Sequence, residues 1–147
     1  MEFFPTDDLR TDEIILLLDH IEPGDPAKQW VPAYCFYICD SQGTKIGVCD
    51  LRIGHNENTY YGGNIGYTVW PEFRGHHFAA KACGLLLRLA YRHGMDHLYI
   101  TCSPENAASR RTCEAAGGIL LEIAALPPQN EMYQEGDREK CIYRFAL

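Results

Sequence analysis

One stretch limits the folds open to this chain more than any other. Over residues 64–94 an extended run passes through a proline and a short loop straight into a long amphipathic segment. Residues 64–70 read as a strand, and Pro71 ends it. Beyond it Phe78, Ala79, Ala82, Leu85, Leu86, Leu89 and Ala90 recur at three- and four-residue spacings. That spacing predicts a helix over residues 74–94 with one buried face, and Arg92-His93-Gly94 is a natural stop. The face needs a sheet to lie on. A helix also begins with unpaired N–H groups and the positive end of its dipole, where anions bind readily. Arg74 adds a permanent cation there, and Gly75, Ala79 and Ala80 leave room for close approach. The alternative for the same residues is an ordinary helix start with no ligand.

The remaining pattern supplies the sheet. Thr11 followed by Asp12 and Glu13 looks like a helix start and predicts a short helix to about His20, before the loop Pro23-Gly24-Asp25-Pro26. Strands are expected over residues 34–39 and 45–53, joined by the turn Asp40-Ser41-Gln42-Gly43. Residues 55–58 read as another turn, followed by Tyr60-Tyr61 and Gly62-Gly63. After the long helix come a strand over 97–102, a helix over 106–116 ending at Gly117-Gly118, and strands over 119–126 and 140–147. The polar stretch 127–139 separates the last two. This order indicates an α+β fold of three layers, α/β/α, beginning with an antiparallel meander.

Composition narrows the chemistry. At 147 residues the expectation is one domain spanning 1–147, with enough chain to bury a core without metal or disulfide staples. Seven cysteines form no Cys-x-x-Cys pair and read as reduced, buried small hydrophobes. Adjacent His76 and His77 diverge by about 100° on a helix start, so no metal is expected there. The net charge of −7, with no basic run longer than Arg110-Arg111, disfavours nucleic acid as main partner. No apolar run approaches the ~20 residues of a membrane span, and no leader is evident at Met1. The expectation is a soluble, cytoplasmic protein, monomer or homodimer.

The run RGHHFAAKA after IGYTVWPEF resembles motif A of the GNAT family of N-acetyltransferases, Arg/Gln-x-x-Gly-x-Gly/Ala, with Arg74 at its first position and Ala79 at its last. A second segment, Asn106-Ala107-Ala108-Ser109 with Glu114 and Gly117, is similar to the family's Asn-x-x-Ser helix. The order of elements over residues 34–147 matches as well. The closing part looks most like the branch that acetylates ribosomal-protein amino termini. The resemblance implies a mixed, mostly antiparallel central sheet, splayed between the strand before the long helix and the strand after it. It implies acetyl-CoA as co-substrate, no metal, and an amine-bearing small molecule or peptide as acceptor. The amides of Arg74, Gly75, His76, His77, Phe78 and Ala79 would cradle the diphosphate of coenzyme A. The pantetheine arm would run beside Val69, with Asn106 bonding its amide and Ser109 close by.

Three positions depart from the family pattern. His77 replaces the middle glycine of motif A, at a cost that depends on the sign of φ. Asn64 stands where relatives often carry a glutamate, and an amide cannot take a proton. Cys113 stands where a tyrosine often protonates the leaving thiolate. A thiol of ordinary pKa, ~8.5, can also donate. Asn64 and Cys113 are thus the candidate catalytic residues. Asp50, Arg52, His55 and Glu57 form a polar cluster suited to the acceptor side, or simply a solvated edge. A non-catalytic coenzyme A-binding module of the same fold is the rival function.

Overall fold

A computed structural model describes residues 1–147. Strands β1 (Ile14–Glu22), β2 (Ala33–Asp40), β3 (Lys45–Arg52) and β4 (Ile65–Val69) form an antiparallel sheet in that order. Strands β5 (His97–Cys102), β6 (Ile119–Ala125) and β7 (Glu139–Ala146) form a second antiparallel sheet in the order β5-β7-β6. Between them run helices α1 (Glu57–Gly62), α2 (Phe78–Arg92), α3 (Ala107–Ala115) and the short α4 (Glu131–Gln134). The fold is α+β, as expected from the sequence.

Helix α2 lies on one face of the first sheet. Its Ala82, Leu86, Leu89 and Ala90 share a core with Tyr34, Phe36, Ile38, Leu51 and Ile65, and with Leu98, Ile100, Tyr143 and Phe145 of the second sheet. Helices α3 and α1 take opposite faces of β5. Cys113 of α3 packs in the core, whereas Tyr61 of α1 accepts a bond from Thr101 through its carbonyl. No helix covers the outer face of the first sheet, where Leu17, Val48 and Thr68 are exposed. No helix is long and apolar enough to cross a membrane.

Three local expectations are corrected. The helix expected to about His20 is strand β1. Ile14 and Leu16 point inward and pair with Asp40 and Ile38, so cross-strand burial of a β-branched, aliphatic run outweighs the capping signal. Thr11 does accept from the amides of Glu13 and Ile14, but this turn opens a strand. Residues read as a turn around 55–58 begin α1 instead, through an Asn56–Thr59 capping box. The long helix starts at Phe78, four residues later than expected, because Arg74 is extended and Gly75 and His77 adopt positive φ, which a right-handed helix cannot include.

No ladder joins β4 to β5. The two sheets meet at one residue, Asn64. Its N–H donates to Tyr99 O at 2.7 Å and its Oδ1 accepts from Tyr99 N at 3.0 Å. Its Nδ2 donates to Arg52 O and Gly54 O at 3.1 and 2.8 Å, and its own carbonyl accepts from Arg52 N at 2.7 Å. The side chain is fully buried with every polar atom satisfied. Beyond this pin β4 and β5 diverge. Asn64→Ala would strand several buried polar groups, at about 1–3 kcal/mol each. Denaturant unfolding of that variant should therefore show a loss of about 3 kcal/mol with an unchanged slope.

Candidate functional site

The loop between β4 and α2 presents an unusual run of free donors. The amides of residues 75, 76, 77, 78, 79 and 80 have no acceptor in the protein, backbone or side chain. Two left-handed residues shape this loop: Gly75 at φ +92° and His77 at φ +61°. Alternating hand along a short stretch turns successive N–H groups toward one concavity, the geometry of an anion nest. The helix dipole of the fifteen-residue α2 points the same way. His77 has a Cβ and holds this conformation without a side-chain cap, so the loop stores strain that a glycine would not.

The concavity opens into a cleft of about 670 Å³ between β4, α2 and α3. Among its lining residues are Arg74, His77 and Arg111 but no Asp or Glu, in a chain that carries twenty acids. The guanidinium of Arg74 donates through Nε to Val69 O at 2.8 Å, which leaves its terminal nitrogens free at the rim. The bonds Arg52 N to Asn64 O and Trp70 N to Ile46 O fix which β4 residues face β3. By alternation, Tyr67 and Val69 turn their backbone groups to the open edge. An extended chain can pair with that edge.

The floor of the cleft is a hydroxyl pair. Tyr67 Oη lies 2.7 Å from Ser109 Oγ, and Cys113 Sγ sits 4.0 Å from the same phenol on its buried side. Burial pushes the Tyr67 phenol well above its ordinary value, so it stays protonated. The neighbouring Cys102 thiol and burial hold the Cys113 thiol well above its ordinary value, while Cys113 lowers that of Cys102. Asn106 caps α3, its Oδ1 accepting from Ser109 N at 3.1 Å. Its Nδ2 has no protein partner and is free to donate.

Of the residues singled out from sequence, Val69, Arg74, Gly75, His77, Phe78, Ala79, Asn106 and Ser109 line this cleft. The side chain of His76 does not; its ring lies beside Phe78. Neither expected catalytic residue reaches the cleft. Asn64 is spent on the junction of the sheets, and Cys113 is fully buried beneath Tyr67. Sequence reasoning missed Tyr67, Arg111 and Thr112. The alternation of β4 could have found Tyr67, which shares a face with Val69.

The polar cluster expected on the acceptor side is divided. Asp50 and Arg52 form an ion pair at 3.0 Å on the outer face, and Gly66 N donates to Asp50 Oδ1 at 3.0 Å. Burial raises the Asp50 carboxyl above its usual range. A Cβ at position 66 would lie 2.5 Å from Asp50 Oδ1, so this contact requires glycine. His55 instead stacks on His97, and Glu57 opens α1.

The sequence profile of the acetyltransferase (GNAT) domain matches residues 1–119. The chain belongs to the GNAT family. Solved structures share the fold at low identity. The microcin C7 self-immunity acetyltransferase MccE, in complex with acetyl-CoA and AMP, is 24% identical with a TM-score of 0.62, over 78% of this chain and 61% of that one. RimL, the ribosomal L7/L12 α-N-protein acetyltransferase in complex with coenzyme A, is 18% identical with a TM-score of 0.61, over 82% and 64%. The ribosomal-protein-S5-alanine acetyltransferase of Vibrio fischeri is 17% identical with a TM-score of 0.61, over 78% and 61%. These structures share the fold of this chain. This chain spans less than two thirds of each of these structures. No curated protein sequence matches it.

The strain at His77 is testable. His77→Gly should keep or raise stability, by up to about 1 kcal/mol, because relief of the left-handed cost offsets the added freedom of the unfolded chain. His77→Val should lose about 1–2 kcal/mol, since a β-branched residue resists positive φ most. Thermal unfolding of the two variants distinguishes them by sign.

Proposed function

We propose that this GNAT-family chain is an acetyl-CoA-dependent N-acetyltransferase that acetylates a primary amine by direct transfer in a ternary complex. The observation that carries the reading is the row of six unpartnered amides beside a cleft without carboxylates. A diphosphate satisfies such a row, with Arg74 and Arg111 as cations at the rim. The pantetheine arm pairs with the Tyr67 backbone and the Val69 N–H, the Val69 carbonyl being held by Arg74, and Asn106 Nδ2 donates to one of its carbonyls. The thioester then lies in the gap between β4 and β5. The acceptor is a primary amine of a small molecule or of a peptide terminus, and the Asp50–Arg52 pair stands on its side of the sheet. RimL and the Vibrio fischeri enzyme, whose acceptors are ribosomal proteins, support the amine class.

The chemistry asked of the protein is modest. Holding amine and thioester in contact supplies roughly 7–11 kcal/mol of the barrier. The neutral amine attacks the carbonyl carbon, and a backbone N–H of the β4 edge stabilises the developing oxyanion. The C–S bond breaks as the C–N bond is completed. The leaving thiolate takes a proton from the Tyr67–Ser109 hydroxyl pair, and the nitrogen releases its proton to water. Tyr67 and Ser109 thereby take the role expected of Cys113, which acts only by packing beneath the phenol. Asn64 acts through position alone.

The rival, a coenzyme A-binding module without turnover, is favoured by the absence of a carboxylate base in the cleft. Free-thiol release from acetyl-CoA over a panel of primary amines decides between them. The enzyme reading expects amine-dependent release above hydrolysis, and tight coenzyme binding without release on any amine supports the module. In calorimetry Arg74→Ala should weaken coenzyme A binding about tenfold, the value of one charge-assisted contact. Tyr67→Phe should leave that affinity unchanged while lowering kcat about 10–100-fold. An unchanged kcat would remove the phenol from the proton path.

A further inference from the structure

The outer face of the first sheet carries a cluster that the cleft does not use. Strand β1 has a bulge between Leu18 and His20. Up to Leu18 its partners run in step, Leu18 opposite Phe36; without the extra residue Asp19 would face Cys35 and His20 would turn into the core beside Tyr34. The bulge instead sets His20 opposite Cys35, and Glu22, two residues on, shares its face. Bulges of this kind re-aim side chains and are features, not defects. Here the bulge brings a nitrogen and an oxygen donor, His20 and Glu22, beside the sulfur of Cys35 on β2. Ligand atoms of His20, Glu22 and Cys35 all lie within 4.8 Å of one another, and His20 Nε2 is 3.3 Å from Glu22 Oε1.

Asp19, the extra residue, supplies what such a set needs. Its Oδ2 accepts from His20 Nδ1 at 2.7 Å and holds the ring with Nε2 toward Glu22, where Nε2 donates to Oε1 at 3.3 Å; a cation bound between them takes the place of that Nε2 proton. A carboxylate behind a histidine in this way is the usual outer support of a metal-bound imidazole. The row continues from Cys35 to Asp50 on β3, so three carboxylates (Asp19, Glu22 and Asp50) surround the cluster against one guanidinium, Arg52. The field favours a cation. Tetrahedral zinc with these donors needs ligand atoms about 3.3–3.6 Å apart. The half-exposed His20 and Glu22 side chains can close from 4.8 Å by small rotations.

We propose that His20, Glu22 and Cys35 bind a divalent cation of the zinc class, with Asp19 orienting His20 and the fourth position left to water. The site crosses β1 and β2 and ties the edge strand down at its bulge. It lies on the face opposite α2, away from the coenzyme cleft. It was not visible in the sequence because the ligands are thirteen or more residues apart between β1 and β2, and their register depends on the bulge.

The test uses the wild-type protein with Zn²⁺ alone, and with Co²⁺ as a spectroscopic probe. Calorimetry should give one equivalent of Zn²⁺ bound with a dissociation constant of about 1–10 µM. The Co²⁺ form should show a thiolate-to-metal charge-transfer band and tetrahedral d–d intensity. Cys35→Ser should abolish that band, and both it and His20→Ala should weaken Zn²⁺ binding at least tenfold, about the minimum for losing one of three ligands. Asp19→Ala should weaken it about tenfold through His20, while His76→Ala should leave it unchanged. Absence of saturable binding, a cobalt spectrum without the thiolate band, or an affinity indifferent to His20→Ala and Cys35→Ser overturns the proposal. None of these results bears on coenzyme binding.

Discussion

The structure depends on a single buried amide. Asn64 holds Tyr99, Arg52 and Gly54 through its backbone and side chain together, and it is the one point where β4 is bonded to β5. Had the two strands paired along their length, the sheet would be continuous and the backbone groups of Tyr67 and Val69 would be used up. Because they meet only at Asn64, the Tyr67 backbone and the Val69 N–H stay unpaired beyond it, Val69 O being held by Arg74, and the cleft is the space they leave. A buried polar side chain is costly unless every bond is made. Here all of them are made, which turns a liability into a hinge of fixed geometry.

The second requirement is a donor-rich, anion-seeking surface in an acidic protein. A net charge of −7 repels a polyanionic ligand at long range, so local structure must reverse the sign. The chain does so with backbone more than with side chains. Six amides, the dipole of α2 and two arginines converge on a lining that excludes carboxylates. The left-handed backbone of His77 is the cost of aiming those amides with a residue other than glycine. Strain of about 1–2 kcal/mol is small beside what α2 gains by burying Leu86 and Leu89 completely.

Much of this was legible in the sequence, and the reasons for the exceptions are physical. The periodicity of residues 78–90 gave the helix, and the Pro71-to-Ala79 run marked the loop whose amides have no acceptor, because both signals are local. The start of β1 was misread because Thr11, Asp12 and Glu13 form a true capping turn. Only the pairing of Ile14 and Leu16 with β2, a contact across some twenty residues, decides for a strand. Tyr67 was missed because an aromatic on the core face of a strand looks like packing until its hydroxyl is found 2.7 Å from Ser109. Asn64 and Cys113 stand near the cleft, but burial and their partners keep both side chains out of it. Spacing brings a residue to a site, whereas burial and partners determine whether it can act there. Neither the bulge in β1 nor the cluster beside it follows from spacing at all.

The most direct measurement of the central claim is a crystal structure of the protein grown with acetyl-CoA. The account predicts diphosphate oxygens within about 3 Å of the amides of residues 75–80, with the thioester between the β4 edge and the Tyr67–Ser109 pair. A coenzyme seated elsewhere, with those six amides still without acceptors, would contradict it.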